Sequence, residues 1–289
     1  MGTYAICGMA GSTGKTTTIV SLGTQLALDG VRVRIIDIDS QANASTWLGY
    51  DDTHFKTVAD VLRKNASIAD VELPARVIKG YDEHDNEVFE EIPNLTVVPA
   101  RRSTLDKLLI ELPAITGGVL HLREALEEAD DVDVTLIDCP GTMNALVVSG
   151  VLATSIDEAD TRRGAWGVIT ATRPSGKEMD GIPVLEKELS DINRAYRVNV
   201  PLLAIVPCSV PGKNRGLMYQ EQMADLREAY GELITPGVRL ATVVDEAYTN
   251  ATPVPLYGHR AKDVIGDYRA VQDYMQKHLH VFPRKVVAA

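Results

Sequence analysis

The feature that most constrains this chain is a glycine-rich run, Gly8-Met9-Ala10-Gly11-Ser12-Thr13-Gly14-Lys15-Thr16-Thr17-Thr18. A short apolar run, Tyr4 to Cys7, precedes it, and a stretch with helical character follows. Glycines at that junction let the backbone curl into a nest of N–H groups, the next helix adds positive potential at its N-terminus, and a lysine supplies a point charge. The run therefore reads as a phosphate-binding loop, with Gly11, Ser12, Thr13, Gly14, Lys15, Thr16 and Thr17 as its contacts and the Thr16 hydroxyl suited to Mg²⁺. A dinucleotide fingerprint would need G-x-G-x-x-G, whereas these glycines are spaced G-x-x-G-x-x-G and lead into Lys-Thr. The usual G-x-x-x-x-G-K-[ST] pattern places its first glycine at position 9, which here is Met9.

Further apolar runs at Val31 to Ile38, Leu95 to Val98, Val132 to Ile137, Trp166 to Ala171 and Leu202 to Val206 read as buried strands. Helical stretches separate them. Lys15 to Asp29 is closed by Gly30, and Gly118 to Ala129 repeats its leucines at helical spacing. Such alternation predicts a doubly wound α/β fold, a mostly parallel sheet with helices on both faces, because parallel neighbours need crossover connections. No linker-like segment interrupts the 289 residues, so one domain over residues 1–289 is expected.

Forty acidic and 29 basic residues give a net charge of −11, so the chain as a whole does not attract polyanions. The stretch 51–91 carries 11 of those acids against five basic residues, which leaves the remaining surface less hostile to nucleic acid. Within it, Val77 to Glu91 predicts a hairpin whose tip, Asp82 to Asp85, reads as a solvated turn rather than a metal site. Cys7, Cys139 and Cys208 are too far apart for a disulfide framework or a C-x-x-C motif and read as small buried thiols in a reducing compartment. No apolar run approaches the roughly 18 residues of a membrane span, and a soluble intracellular protein is expected.

Two predicted strands end in acids: Ile35-Ile36-Asp37-Ile38-Asp39 and Leu136-Ile137-Asp138. Both place carboxylates at the C-terminal edge of the sheet, where a parallel α/β sheet binds its ligand. A carboxylate there can hold Mg²⁺ through water, and a second can orient an attacking water.

GSTGKTT, then IIDIDSQANAST, NLTVVPA and VTLIDCPG together resemble the successive motifs of the ParA/MinD family of deviant Walker A P-loop ATPases. Residues 243–258 and a final helix around Tyr268 to Lys277 also resemble that family's last helices. The resemblance implies ATP and Mg²⁺ as cofactors, an ATP-bound homodimer, slow hydrolysis stimulated by a ParB-like or cargo-adaptor partner, and non-specific binding to double-stranded DNA. It also implies a cytoplasmic, nucleoid-associated protein that positions plasmid, phage or chromosomal DNA. Lys15 then matches the phosphate-loop lysine, Thr16 the magnesium ligand, Asp39 the residue that orients the hydrolytic water, Asp138 the second-switch acid, and Asn43 falls in the first switch. Asp37 matches a common family acid. With Thr16, Asp39 and Asp138 form the metal set, and Lys15, Asp39 and Asp138 the catalytic set.

Four positions depart from the family pattern: Ala10 replaces the signature lysine, Ser12 a glycine, Ser40 a proline and Gly141 a second proline. Lys177 and Arg173 are candidates for the missing charge, because 170–177 follows a predicted strand and opens on the same edge. Without a substitute, the chain would act as a non-hydrolysing ATP-gated switch or would position a protein cargo; an ATP-dependent ligase or synthetase of the same superfamily is a further reading. Duplex binding by counterion release needs several cations on one face, and Arg194, Arg197, Lys213, Arg215 and Arg239, with the tail from Lys277, are the candidates. The C-terminal HLHVFPRKVVAA is short and broken by Pro283, so membrane binding is not expected.

Overall fold

The computed structural model describes residues 2–51, 55–155, 165–212 and 217–283. In chain order the elements are β1 (Gly2–Cys7), α1 (Lys15–Leu28), β2 (Val33–Asp37), α2 (Asn43–Trp47), α3 (Val58–Leu62), β3 (Leu73–Tyr81), β4 (Glu87–Val98), α4 (Arg102–Glu111), α5 (His121–Glu127), β5 (Val134–Asp138) and α6 (Ala145–Thr154). There follow β6 (Trp166–Thr172), α7 (Gly176–Met179), α8 (Gly181–Tyr196), β7 (Leu202–Pro207), α9 (Leu217–Tyr230), α10 (Val243–Thr249) and α11 (Lys262–Tyr274). The strands form one seven-stranded sheet in the order β3-β4-β2-β5-β1-β6-β7. Every pairing is parallel except β3 with β4, the expected hairpin.

The central strands read as unbroken apolar runs because both faces of the sheet are covered. Along β1, Tyr4 and Ile6 enter one core and Ala5 and Cys7 the other; Ile35 and Ile36 of β2 divide in the same way. That alternation is the two-residue period of a strand. One core takes α1, α2 and α11, and the other takes α3, α4, α5, α6 and α8. Gly30 lies just beyond α1 with φ 86°, the left-handed conformation that ends a helix. The helix expected over Gly118 to Ala129 is instead a 3₁₀ turn at Gly118–Leu120 followed by α5. Gly118 makes the difference: a Cβ there would lie 2.5 Å from the Leu112 carbonyl oxygen, so the chain packs tightly before the α-helix begins.

The hairpin tip is a turn held by Asp82, whose carboxylate accepts the backbone N–H groups of His84 (2.8 Å) and Asn86 (2.9 Å). At the other end of the molecule's logic, α6 lies directly on the strand ends that carry the acids. A Cβ on Gly150 would stand 2.8 Å from Cys139 Sγ and 2.9 Å from Ile38 Cδ1. Gly150→Val therefore overpacks this contact, and chemical denaturation should show a loss of about 1–3 kcal/mol.

Candidate functional site

The chain leaves β1 at Cys7, and residues 8–14 wrap around the start of α1. Ser12 (φ 57°) and Gly14 (φ 97°) are left-handed, which turns successive N–H groups inward as a nest. No side chain caps α1 and no acid occupies its first turn, so its leading N–H groups remain available to an anion. Lys15 is buried, and its Nζ donates to the Ala10 carbonyl oxygen at 3.1 Å. Gly141 is explained by proximity: a Cβ there would come within 3.2 Å of Lys15 Nζ and 3.3 Å of Gly11 Cα. A proline ring at that position would crowd the lysine.

Strand register brings the acids together. Asp37 and Asp138 are Cα partners on β2 and β5, and Ile6, two residues before the loop, is the other neighbour of Asp138. Thr16 Oγ1 donates to Asp138 Oδ2 at 2.8 Å, tying α1 to β5. Asp138 Oδ1 is shut off from solvent yet accepts no hydrogen bond. A buried carboxylate with an open oxygen beside a threonine hydroxyl fits the oxygen donor set that Mg²⁺ requires. Burial pushes the Asp138 carboxyl well above the ordinary range, with Asp37 adding to the rise and Thr16 and Lys15 opposing it.

Asp37 serves as a support. Its Oδ2 accepts Ser45 N–H (2.9 Å) and Ser45 Oγ–H (2.7 Å), and its Oδ1 accepts the N–H of Asp39 (3.1 Å). Ser45 Oγ in turn accepts Ala100 N–H at 2.8 Å. Asp37 thereby anchors both Asp39 and α2, and burial raises it to about 7 against those hydrogen bonds. Asp39 itself is half-buried, with Oδ1 accepting Gln41 N–H at 2.9 Å.

A cavity of about 830 Å³ lies against this edge of the sheet, and Asp37 and Asp138 are not among its lining residues. All seven loop residues from Gly11 to Thr17 line it, together with Asp39 and Asn43. Of the two proposed substitutes for the signature lysine, Arg173 lines the cavity and Lys177, on α7, does not. Sequence reasoning missed Trp47, Asn144 and Tyr248, which also line it. Cys208, just past β7, lines it as a strand-end residue can, whereas α10, which carries Tyr248, has no nucleotide signature. Burial raises the Cys139 thiol well above its ordinary value and that of Cys208 to about 11, so neither is a ready thiolate.

The described basic residues considered for DNA do not share one surface. Arg194 and Arg197 lie at the end of α8, the crossover that runs about 24 Å back from the cavity edge before β7 begins. Arg194 pairs with Asp191 at 2.6 Å. Arg239 instead lines the cavity, where Asp267 (2.6 Å) and Asp263 (3.3 Å) engage its guanidinium. Lys277 pairs with Asp273, and Lys213, Arg215, Arg284 and Lys285 lie outside the described residues.

The raised values of Asp37 and Asp138 mean that the folded chain holds these protons more tightly than the unfolded chain does. The stability that Asp37 confers is complete below about pH 4 and is lost as pH rises through about 7, and Asp138 acts in the same direction. The melting temperature of the ligand-free protein should accordingly fall between pH 5 and pH 8, and Mg²⁺ with ATP should flatten that fall by favouring the carboxylates.

An AAA domain family model matches residues 1–158 of the chain. The Caulobacter vibrioides chromosome partitioning protein ParA is 30% identical over 259 residues, covering 88% of this chain and 86% of that protein. Among solved structures, the Cyanothece McdA–ATP complex superposes with a TM-score of 0.75 at 17% identity, covering 96% of each chain. Cobyrinic acid a,c-diamide synthase from Mycobacterium smegmatis, with bound ADP and magnesium, gives 0.71 at 21% identity and 98% coverage of both, so the fold is shared beyond partition proteins. With the phosphate loop, the paired acids and a ParA relative aligned over most of its length, the chain belongs to the ParA family of partition ATPases.

Proposed function

We propose that this chain, as a single P-loop domain, is a Mg²⁺-dependent ATPase that forms an ATP-bound homodimer, binds duplex DNA non-specifically and moves or positions a DNA cargo. The observation that carries the ATPase reading is the Thr16–Asp138 hydrogen bond beneath an uncapped α1, with Lys15 and Asp39 bordering the same cavity. Mg²⁺, when bound, would neutralise phosphate charge beside Thr16 and Asp138. Lys15 and the loop N–H groups hold the phosphates, while Asp39, fixed from behind by Asp37, orients the attacking water. The chemistry then rests on positioning and charge rather than on a covalent nucleophile. The name of the Caulobacter relative supports partition as the task, and a ParB-like protein or cargo adaptor is the expected stimulating partner.

Arg173 supplies the second cation in place of the absent lysine at position 10. Three cations among the described residues line the cavity: Lys15 is turned onto the Ala10 carbonyl and Arg239 is held by two aspartates, whereas Arg173 makes no salt bridge with a described residue. Loss of a hydrogen bond to a charged group costs roughly 1.5–3 kcal/mol, so Arg173→Ala should weaken ATP binding about tenfold or more in equilibrium dialysis, with Lys177→Ala unchanged.

The functional test is a phosphate-release assay run beside DNA binding in a salt series. Lys15→Ala should impair ATP binding and turnover together, whereas Asp39→Ala should retain ATP and lose turnover by on the order of a hundredfold. ATP-dependent, steeply salt-sensitive duplex binding is the expected companion result. ATP-dependent DNA binding without phosphate release would instead identify a non-hydrolysing switch, and turnover only with an added small acid or amine would identify a synthetase.

A further inference from the structure

Two short helices, α2 and α10, meet on the cavity wall through residues 205 positions apart in the chain. Tyr248 of α10 donates its hydroxyl to Asn43 Oδ1 at 2.9 Å, and its ring meets Trp47 edge-to-face, with centroids 5.3 Å apart and planes at 88°. Trp47 Nε1 also donates to the Thr252 carbonyl oxygen, just beyond α10, at 2.8 Å. Asn43 and Trp47 are the two ends of α2, so α10 grips that helix at both termini.

The opposite side of α2 is anchored to the sheet through Ser45 and Asp37, the same aspartate that holds the Asp39 backbone. The connection from Asp39 to Asn43 is short, and it enters α2 through Ala42 in the left-handed region at φ 52°. Ala42 has no side-chain cap to offer; backbone bonds and the Asp37 carboxylate on Ser45 hold the start of the helix, and neither reaches the Asn43 side chain. Tyr248 positions the Asn43 carboxamide on the cavity wall. The contact can also be broken at modest cost, because the tyrosine is 38% exposed and water can replace its partner. Arg239, Ala241, Val244 and Asp245, on and just before α10, line the same cavity. A change at the Asp39–Asn43 segment thus has a direct mechanical route into 238–249.

We propose that Tyr248 is a positioning residue that couples the segment carrying Asp39 and Asn43 to α10, so that α10 responds to which nucleotide fills the cavity. This rests on the nucleotide-site reading above, but not on DNA binding or partition. Trp47 is the natural reporter, since it touches Tyr248 directly and the chain's other tryptophan, Trp166, can be removed.

The experiment follows Trp47 emission in a Trp166→Phe background with no nucleotide, with Mg²⁺–ADP and with Mg²⁺–ATP. ATP and ADP should give different emission in that background. Tyr248→Phe, which keeps the ring on Trp47 and removes only the hydroxyl, should abolish the ATP–ADP difference while ATP affinity stays within about twofold. Turnover should fall roughly two- to tenfold, the size of one hydrogen bond. Asn43→Ala should reproduce the loss, and the double variant should be no worse than either single one, as expected of two residues acting through one contact. Retention of the ATP–ADP difference in Tyr248→Phe, its absence in the parent, or additive losses in the double variant would each overturn the coupling. Failure of the nucleotide-site reading is separately visible as an absence of ATP binding by dialysis in the parent.

Discussion

The hydrogen bond from Thr16 to Asp138 joins the first turn of α1 to the end of β5, and the rest of the site is arranged around it. It is available because β5 lies between β1 and β2 in the sheet, so the strand that launches the phosphate loop and the strand that launches the first switch both flank the same aspartate. Parallel pairing places all three strand ends at one edge. Moving β5 by one residue would turn Asp138 to the opposite face, and the threonine would lose its acceptor.

Several parts of the molecule hold polar groups in states that the protein alone leaves incomplete. The first turn of α1 is uncapped, Asp138 Oδ1 is buried without a donor, and two carboxyls sit side by side with their protonated forms favoured. Each costs free energy in the ligand-free fold, and each is a group that a phosphate or a divalent cation would satisfy. The surroundings that enforce this are rigid: α6 packs closely over the strand ends at Gly150, and Asp37 is locked through Ser45 to the backbone at Ala100. Instability at the centre is thus maintained by close packing around it.

Residues tied to the site by local chain geometry were legible before any coordinates. Lys15 and Thr16 follow a glycine-rich turn at a strand–helix junction, and Asp39 and Asp138 stand at or just beyond apolar strands, so short-range spacing is enough to place them. Arg239 was legible only as a positive charge. Its neutralising partners Asp263 and Asp267 come from α11, and neither spacing nor composition reveals that pairing. Arg173 and Lys177 were equivalent as sequence, four residues apart after one strand, yet the turn into α7 leaves the first on the cavity and the second off it. The 3₁₀ turn before α5 was hidden for a similar reason, since leucine periodicity does not register a steric contact with the Leu112 carbonyl.

By itself, the sequence determined the doubly wound architecture, the glycine-rich loop between β1 and α1 and the edge of the sheet that carries the acids. These depend on periodicity, strand–helix alternation and residue spacing over a few positions, all of which are local quantities. Only the tertiary structure decided that Asp37 holds Ser45 and the Asp39 backbone, that Arg239 is spent on two aspartates, and that Tyr248 reaches Asn43. Those outcomes depend on strand order and on helices that return from the far end of the chain. Contacts between segments so distant in sequence are selected by packing, which no local pattern encodes.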